Sequence, residues 1–319
     1  MKVLITGATG LVGCALTELF IKEGYSVNYL TTSLDKIKNT EKYKGFFWDP
    51  GANKIDKNCF TGVTAIINLA GASISQRWTK SNKSKILNSR IDSLRTLYKA
   101  IEELNLNKNI QFISSSAIGI YPNSLTNFYT EESKGVDASF LGEVVEAWEK
   151  EIIKFRELPC EVSIIRTGLV CSDKGGALPK LTAAINGFVG APFGSGNQWQ
   201  SWIHISDLTR IFLFLMEKGL TGIYNGVAPN PVTNKKMVKE LASVLKKPLL
   251  LPNVPKFSLK LILGEMSYLL LASQRVSSNK IEKKGFYFQF NNISKTFEDI
   301  YSIDTKEDLK ENISLKEFV

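Results

Sequence analysis

The chain has 319 residues, of which 44% are apolar and 22% are charged, and its formal net charge is +9 at pH 7. This apolar share suits a soluble globular protein, and the chain can bury a large core as one long domain or two. Only seven of the 40 basic residues are arginine, and lysines spread along a chain indicate a solvated surface and no nucleic-acid partner.

Short apolar runs alternate with longer helical patterns along the first half of the chain. We predict strands at residues 3–6, 26–30, 45–48, 65–70, 111–115 and 162–166, and helices at residues 11–23, 83–102 and 139–156. Short strands separated by helices of about ten or more residues indicate parallel strands with crossovers on both faces. The predicted fold class is therefore α/β, with a doubly wound parallel sheet.

The first predicted strand runs into a glycine-rich turn and then a helix. The turn reads Thr6-Gly7-Ala8-Thr9-Gly10-Leu11-Val12-Gly13. Gly7 can turn the chain sharply, Gly10 lets backbone N–H groups approach a diphosphate, and Gly13 lets the helix pack close to the sheet. The positive end of the helix dipole also attracts phosphate. The turn predicts a dinucleotide site formed by Gly7, Thr9, Gly10, Leu11, Val12 and Gly13.

The glycine spacing resembles that of the extended short-chain dehydrogenase/reductase superfamily. The likeness extends to Asn68-Leu69-Ala70-Gly71, Ser114-Ser115-Ser116-Ala117, Arg166-Thr167-Gly168 and the run from Trp202 to Asp207. More specific motifs are Gln76-Arg77-Trp78-Thr79 with Ser89-Arg90, Gly175-Gly176-Ala177-Leu178, Gly222-Ile223-Tyr224-Asn225 before Pro229, Gly264-Glu265, and Gly285-Phe286-Tyr287-Phe288. Together they resemble the atypical NAD(P)-dependent "epimerase family" proteins, which carry a C-terminal domain of unknown function. The likeness covers residues 1–300 and implies a Rossmann-type nucleotide-binding fold.

The rhythm of strands and helices loosens after about residue 170, where glycines and prolines interrupt shorter helices. We place a Rossmann-type NADP-binding domain at residues 1–170, a smaller C-terminal α/β substrate lobe interleaved with it at residues 171–301, and a charged tail at residues 302–319. Lys260 and Glu265 break the apolar stretch 257–272, so we expect no membrane span. Residues 1–5 lead directly into the turn, from which we expect no signal peptide.

The second predicted strand ends at Thr31-Thr32-Ser33, where an NAD-selective site normally carries an Asp or Glu for the ribose 2′-hydroxyl. The first carboxylate is Asp35, and a cation follows it. Hydroxyl donors beside a cation suit the 2′-phosphate of NADP, whereas a carboxylate repels it. We therefore predict NADP (NADPH), bound at this end by Thr31, Thr32, Ser33 and Lys36. A plain loop with solvated lysines is the alternative. The related proteins usually have Arg where Thr32 stands, and Lys36 would take its place.

The resemblance implies two further contacts with the adenosine half of the cofactor. Asp49 would accept a hydrogen bond from the adenine amino group, although a surface turn before Pro50 is an equal alternative. Leu69, Ala70 and Gly71 would pass beside the adenosine ribose, because Gly71 lets the backbone come close.

In this superfamily a Ser holds the substrate carbonyl, a Tyr exchanges the proton, and a Lys four residues later supports the Tyr. Ser116 matches the Ser; a strand-end serine that caps a turn is the alternative. The Tyr and Lys positions fall at Phe140 or Leu141 and at Val145, all apolar, and no Tyr in the chain has a Lys four residues later. Tyr121 is the best substitute proton donor, with an aromatic lid or core contact as the alternative.

The remaining site candidates are polar residues near the expected substrate. Arg77 and Arg90 would clamp a carboxylate or phosphate of the substrate, hold the phosphates of the cofactor, or lie on the surface. Gln198 and Trp199 are expected to line the substrate mouth. His204 is the only histidine, and its motif resembles a structural segment that joins two lobes. One histidine and four scattered cysteines give no metal-ligand spacing, so we predict no metal.

These features predict an NADP-binding atypical short-chain oxidoreductase or epimerase-like protein acting on a small carbonyl or hydroxyl substrate. The alternative is a non-catalytic NADP-sensing or scaffold protein, which the apolar helix at residues 139–152 favours. A true sugar-nucleotide epimerase is disfavoured, because its reaction needs the missing Tyr. Scattered cysteines indicate reduced thiols and a cytoplasmic protein. We expect a monomer or homodimer.

Overall fold

The computed structural model describes residues 1–105 and 110–301. Its strands are β1 (Lys2–Thr6), β2 (Ser26–Thr31), β3 (Tyr43–Asp49), β4 (Lys54–Ile55), β5 (Val63–Asn68), β6 (Ile110–Ala117), β7 (Phe128–Tyr129), β8 (Cys160–Thr167), β9 (Leu169–Cys171), β10 (Trp199–Gln200), β11 (Trp202–His204), β12 (Gly222–Gly226), β13 (Val232–Thr233) and β14 (Arg275–Val276). Its α-helices are α1 (Leu11–Lys22), α2 (Lys80–Leu104), α3 (Phe140–Ile153), α4 (Leu178–Asn186), α5 (Ile205–Glu217), α6 (Asn234–Val244), α7 (Lys256–Leu263), α8 (Tyr268–Leu271), α9 (Asn279–Lys283) and α10 (Ile293–Tyr301). The predicted charged tail, residues 302–319, lies outside the described residues.

Eight strands form one sheet in the order β12-β8-β6-β5-β1-β2-β3-β4. Neighbouring strands are parallel except for β4, which pairs antiparallel with β3. The predicted α/β fold with a doubly wound parallel sheet is confirmed. The strand order reverses between β1 and β5, and in such sheets ligands bind beyond the carboxyl ends of the strands at the reversal.

Helices cover both faces of the sheet, which explains why its central strands are apolar along their whole length. On one face, α1 and α5 bury Leu16, Phe20 and Phe212 against the strands. On the other face, α2 and α3 bury Leu97 and Ile152. Apolar residues at spacings of three and four along each helix supply these buried faces.

The second half of the chain contributes to this sheet and also builds a core of its own. β12 extends the sheet beside β8, and α5 covers one face of it, although both follow residue 171. A separate cluster of buried residues on α4, α6 and α10 surrounds Trp202, Leu241 and Phe297. The eight-stranded sheet and this second core are therefore connected through β12 and α5.

The apolar stretch 257–272 folds into α7, a short 3-10 turn and α8. Each of these pieces is only a few residues long. No helix within residues 1–105 and 110–301 is long and apolar enough to cross a membrane.

Candidate nucleotide-binding site

The glycine turn (residues 6–13) is packed so tightly that side chains are excluded at two of its positions. Gly7 has a φ of +68°, in the left-handed region that favours glycine. A Cβ on Gly13 would lie 2.2 Å from the carbonyl oxygen of Gly7, and a Cβ on Gly7 would lie 2.8 Å from that of Leu69. Gly10 begins α1 without a capping side chain, so the N–H groups of the first helical turn are available to an anion.

The other residues predicted at the turn surround the start of α1. Thr9 is exposed, whereas Leu11 and Val12 are partly buried. The loop at Gly175 packs against the start of α1, because a Cβ on Gly175 would lie 3.5 Å from Leu11 Cδ1. A ligand on the turn would therefore be flanked by residues from both halves of the chain.

A buried chain of hydrogen bonds fixes the carboxyl ends of the three central strands. The hydroxyl of Thr6 donates to Oδ1 of Asn68 at 2.8 Å, and Nδ2 of Asn68 donates to the hydroxyl of Ser114 at 3.0 Å. Thr6 Oγ1 also accepts the N–H groups of Leu69 and Ala70, each at 3.1 Å. These bonds hold the loop after β5 against the glycine turn.

The end of β2 presents a hydroxyl and a cation to solvent. Thr31 is buried, and its hydroxyl oxygen accepts the N–H of Ser33 at 3.2 Å. The Ser33 hydroxyl donates to Asp35, and this bond lowers the pKa of that carboxyl below its usual range. Thr32 and Lys36 are exposed, so a ligand at this edge would meet them first.

Asp49 ends β3 in an exposed position. Its carboxylate accepts the N–H of Ala52 at 3.3 Å and caps the following turn. The second oxygen of this carboxylate makes no hydrogen bond to any residue in the described ranges. The adenine contact at Asp49 stays a prediction.

Arg90 extends from α2 to the loop after β5. Its Nη1 donates to the carbonyl oxygens of Ala72 at 3.2 Å and Ile86 at 2.8 Å, and its guanidinium lies 4.9 Å from the centre of the Trp148 ring. Burial lowers the pKa of Arg90 to about 10, and no carboxylate in the described part of the chain pairs with it. Arg77, in contrast, is exposed.

The two catalytic candidates belong to one buried polar network, which we call the Glu149 network (Ser116, Glu149, Arg166, Tyr121 and Asn225). The hydroxyl of Ser116 donates to Glu149 Oε1 at 2.6 Å. Arg166 donates two bonds of 2.8 Å to the same carboxylate. Its Nη1 donates to the Tyr121 hydroxyl at 3.1 Å, which in turn donates to Asn225 Oδ1 at 2.7 Å.

The charges of this network hold it together in a buried place. Burial alone lowers the pKa of Arg166, but the hydrogen bonds and the charge of Glu149 raise it above its usual value. Burial raises the pKa of Tyr121, and Arg166 only partly offsets this. Arg166 therefore stays charged and Tyr121 stays protonated near neutral pH.

Sequence reasoning assigned no role to Glu149 or Arg166. Glu149 follows an apolar helical stripe, and Arg166 interrupts an apolar strand. Charged residues at positions that the pattern predicts to be buried are almost always paired. Two such residues of opposite sign on neighbouring elements were the available signal.

Aliphatic side chains occupy the positions of α3 where the superfamily carries its Tyr and Lys. A Cβ on Gly119 would lie 3.5 Å from Leu141 Cβ and 3.8 Å from Val145 Cγ2. Phe140 turns away and packs edge-on against Trp78, with ring centres 5.1 Å apart. Leu141 and Val145 therefore provide no proton donor at the positions where the superfamily carries its Tyr and Lys.

A cleft of about 450 Å³ opens between the starts of α2 and α3 and the C-terminal helices α7 and α8. Its apolar walls include Trp78, Phe140 and Leu271. Lys83 on one side forms an ion pair with Glu265 on the other. The cleft therefore lies between the nucleotide-binding half and the C-terminal half of the chain.

The three substrate candidates do not line this cleft. Gln198 is buried and donates to two backbone carbonyls at 3.0 Å. The indole N–H of Trp199 donates to the carbonyl of Leu125 at 3.0 Å. With Arg77 exposed, their substrate roles stay predictions.

His204 is buried and engaged at both ring nitrogens. Nδ1 accepts the N–H of Ser206 at 3.1 Å, and Nε2 lies 3.3 Å from Asp299 Oδ2. Burial lowers the pKa of His204, so the ring is neutral and caps the start of α5. Among the described residues, no group of three or more His, Cys, Asp or Glu side chains is placed to hold a metal ion.

The chain matches two family models. The NAD dependent epimerase/dehydratase family model matches residues 3–225, and that of a domain of unknown function, DUF1731, matches residues 254–300. The chain is 36% identical over 302 residues to an epimerase family protein of Staphylococcus aureus (strain MRSA252), which covers 94% of this chain and 98% of that protein.

Two solved structures share the fold. The human epimerase family protein SDR39U1 (isoform 2), solved with NADPH, has a TM-score of 0.82 at 26% identity and covers 95% of this chain and 100% of its own. A nucleoside-diphosphate sugar epimerase from Corynebacterium glutamicum has a TM-score of 0.74 at 30% identity, covering 93% and 57%. The resemblance drawn from the sequence motifs is confirmed, including the C-terminal domain of unknown function.

Proposed function

The chain belongs to the NAD dependent epimerase/dehydratase family, and on that premise we propose that it binds NADP and acts as an atypical short-chain oxidoreductase or epimerase-like enzyme. The glycine turn carries this proposal. Backbone atoms fill the space where side chains of residues 7 and 13 would lie, and α1 begins without a capping side chain. This arrangement fits a diphosphate bound by backbone N–H groups.

Three observations support NADP over NAD. The end of β2 presents the exposed Thr32 and Lys36. The nearest carboxylate, Asp35, accepts the hydroxyl of Ser33. In addition, the human relative was solved with NADPH. A cation and a free hydroxyl favour a 2′-phosphate at this edge.

The substrate would meet Ser116 at the carboxyl end of β6. NADP supplies hydride transfer when it is bound. Because the Ser116 proton is directed to Glu149, the hydroxyl oxygen is left to accept a hydrogen bond from a substrate alcohol. Tyr121 lies at the far end of the Glu149 network and would donate a proton only after its hydroxyl leaves Asn225.

A non-catalytic NADP sensor or scaffold is the second candidate. Leu141 and Val145 favour it, because they face Gly119 where an acid and its supporting cation would be needed. A missing general acid typically costs about 10²–10⁴ in rate. Such a protein would keep the nucleotide site and lose turnover.

We assign the small carbonyl or hydroxyl substrate to the carboxyl end of β6, beside Ser116. All four cysteines are free thiols, which supports a cytoplasmic protein. We expect it to act as a monomer or homodimer, without nucleic acid or membrane.

The cofactor assignment is tested by titrating the purified protein with NADPH and NADH and following nicotinamide fluorescence. Tighter binding of NADPH is the expected result, and no binding at millimolar NADPH would refute the proposal. Small carbonyl compounds are then screened with NADPH for a fall, and small alcohols with NADP⁺ for a rise, in NADPH absorbance. For any substrate found, Ser116→Ala should slow turnover strongly and Tyr121→Phe should slow it too, with Ser115→Ala as the matched control. A protein that binds NADPH but turns over no substrate would favour the sensor.

A further inference from the structure

Arg90 is a half-buried cation beside the proposed nucleotide site, and no carboxylate among the described residues pairs with it. We propose that Arg90 binds the diphosphate of the cofactor, with its guanidinium held in place by Trp148. This assignment rests on the proposed function, and it names a side-chain cation that would act on the phosphates together with the glycine turn.

The hydrogen bonds of the guanidinium leave donors unused. Nη1 donates to the carbonyl oxygens of Ala72 and Ile86. Nε is buried and has no partner in the described residues. Nη2 makes no hydrogen bond to a described residue and, unlike Nε, it is accessible to solvent. An arginine has five N–H donors, and this one still has donors for a ligand.

Trp148 beside Arg90 also has an unused donor. Its indole N–H is buried without a hydrogen-bond partner in residues 1–105 and 110–301. Its ring lies against the guanidinium at 4.9 Å, which fixes the plane of the cation. A cation that is fixed before binding loses little conformational entropy when a ligand arrives.

The position of Arg90 selects the diphosphate over the other anionic group of NADP. A Cβ on Gly71 would lie 3.1 Å from Arg90 Cζ, and the same loop touches Gly7 through Leu69. Arg90 therefore lies on the β5 side of β1, whereas Thr32 and Lys36 follow β2 on its other side. The 2′-phosphate belongs at the β2 end, and the diphosphate lies between the two sides.

The charge of the site supports an anionic ligand. Arg90 keeps its charge at neutral pH even though burial lowers its pKa to about 10. An unpaired charge that is partly removed from water destabilises a protein without its ligand. Binding of a phosphate would supply the missing counter-charge, and the destabilisation would then be relieved.

The test compares Arg90→Met with wild type for three ligands in fluorescence or calorimetric titrations. NADPH and 2′-phospho-ADP-ribose contain the diphosphate, whereas 2′,5′-ADP has only one phosphate on its 5′ side. We expect R90M to weaken the first two by at least about tenfold and 2′,5′-ADP by less than about threefold. R156M, which removes an exposed arginine, is the matched control and should leave all three unchanged.

The melting temperature of the ligand-free protein separates binding from a structural role. If Arg90 serves the ligand, R90M should melt no lower than wild type and gain less from added NADPH. Should R90M fail to fold, Arg90→Gln, which keeps an amide donor for Ala72, is used for the same titrations. Equal weakening of all three ligands, or unchanged NADPH binding, overturns the assignment of Arg90. Wild-type protein that binds none of them overturns the proposed function as well.

Discussion

The hydroxyl of Ser116 donates a 2.6 Å hydrogen bond to Oε1 of Glu149, and the same carboxylate accepts two bonds from Arg166. All three side chains are buried. The direction of this bond decides what Ser116 can offer to a substrate, because its proton is committed to the protein and its lone pairs are not. An ion pair on α3 and β8 thus sets the orientation of a hydroxyl at the end of β6.

Removing the charge of Glu149 should destabilise the fold strongly. In Glu149→Gln the Arg166 guanidinium stays buried without a counter-charge, and breaking a buried pair in this way costs about 3–5 kcal/mol. Urea unfolding should show this loss. The double change Glu149→Gln, Arg166→Met should recover part of it, because it also removes the unpaired cation.

The exposed ion pair of Lys150 and Glu146 on the same helix provides the control. Glu146→Gln should change the free energy of unfolding by less than about 1 kcal/mol, since solvated pairs contribute little. A similar loss in the free energy of unfolding for E146Q and E149Q would show that the buried pair contributes no more to stability than the exposed pair.

The cofactor preference should follow the charge at the end of β2. Thr32→Asp places a carboxylate where the 2′-phosphate is proposed to bind, and it can accept a hydrogen bond from the 2′-hydroxyl of NADH. We expect NADPH affinity to fall by at least about tenfold and NADH affinity to hold or rise. Thr64→Asp adds the same charge to an exposed position at the amino end of β5, away from the carboxyl ends of the strands, and its affinities should match wild type. Equal losses for both nucleotides in T32D would contradict a 2′-phosphate site.

The sequence predicted the parts of this site that depend on local backbone geometry. The glycine turn is recognisable because its preceding strand, its glycine spacing and its following helix are contiguous in the chain, from Lys2 to Lys22. The missing acid–base pair is also local, since it concerns side chains on one helix. The Glu149 network could not be derived in this way, because its members come from β6 and the loop after it, α3, β8 and β12, and they meet only after the sheet has formed.

The cleft was the feature of the molecule that the sequence indicated least. The substrate roles of Gln198 and Trp199, whose side chains donate to backbone carbonyls, stay predictions. The cleft combines the start of α3 with α7 and α8, segments separated by more than a hundred residues in the chain. Contacts at that separation leave no periodic pattern in the sequence.

A single methyl group on Gly13 should weaken nucleotide binding strongly. The Cβ of Gly13→Ala would lie 2.2 Å from Gly7 O and 2.6 Å from Ala8 Cα, and backbone atoms cannot rotate away as side chains can. The turn would have to open, with a loss of about 1–3 kcal/mol in stability and at least about tenfold in NADPH affinity. Gly51→Ala is the control, because its nearest contact is Asp49 Oδ1 at 3.4 Å. Tight NADPH binding by G13A would show that the glycine turn is not part of the nucleotide site.

The dependence of stability on pH should report His204, since the chain has no other histidine. Burial lowers its pKa from 6.5, with the nearby Asp299 and Asp207 opposing the shift. A group whose pKa is lower in the folded protein takes up a proton on unfolding, so stability should fall as the pH drops below about 6.5. The physical reason is local: a proton on Nδ1 would face the N–H of Ser206, which that nitrogen now accepts.

Asparagine at position 204 separates this titration from the capping role. Its side-chain oxygen can still accept the N–H of Ser206, but it does not titrate. Urea unfolding between about pH 5 and 7.5 should show a loss of stability for wild type of at most about 1.4 kcal/mol per pH unit beyond that of His204→Asn. Carboxylates that titrate below this range affect both proteins alike, so the difference between them isolates the histidine. Parallel pH profiles for the two proteins would mean that the His204 ring accepts its proton as easily in the folded chain as in the unfolded one.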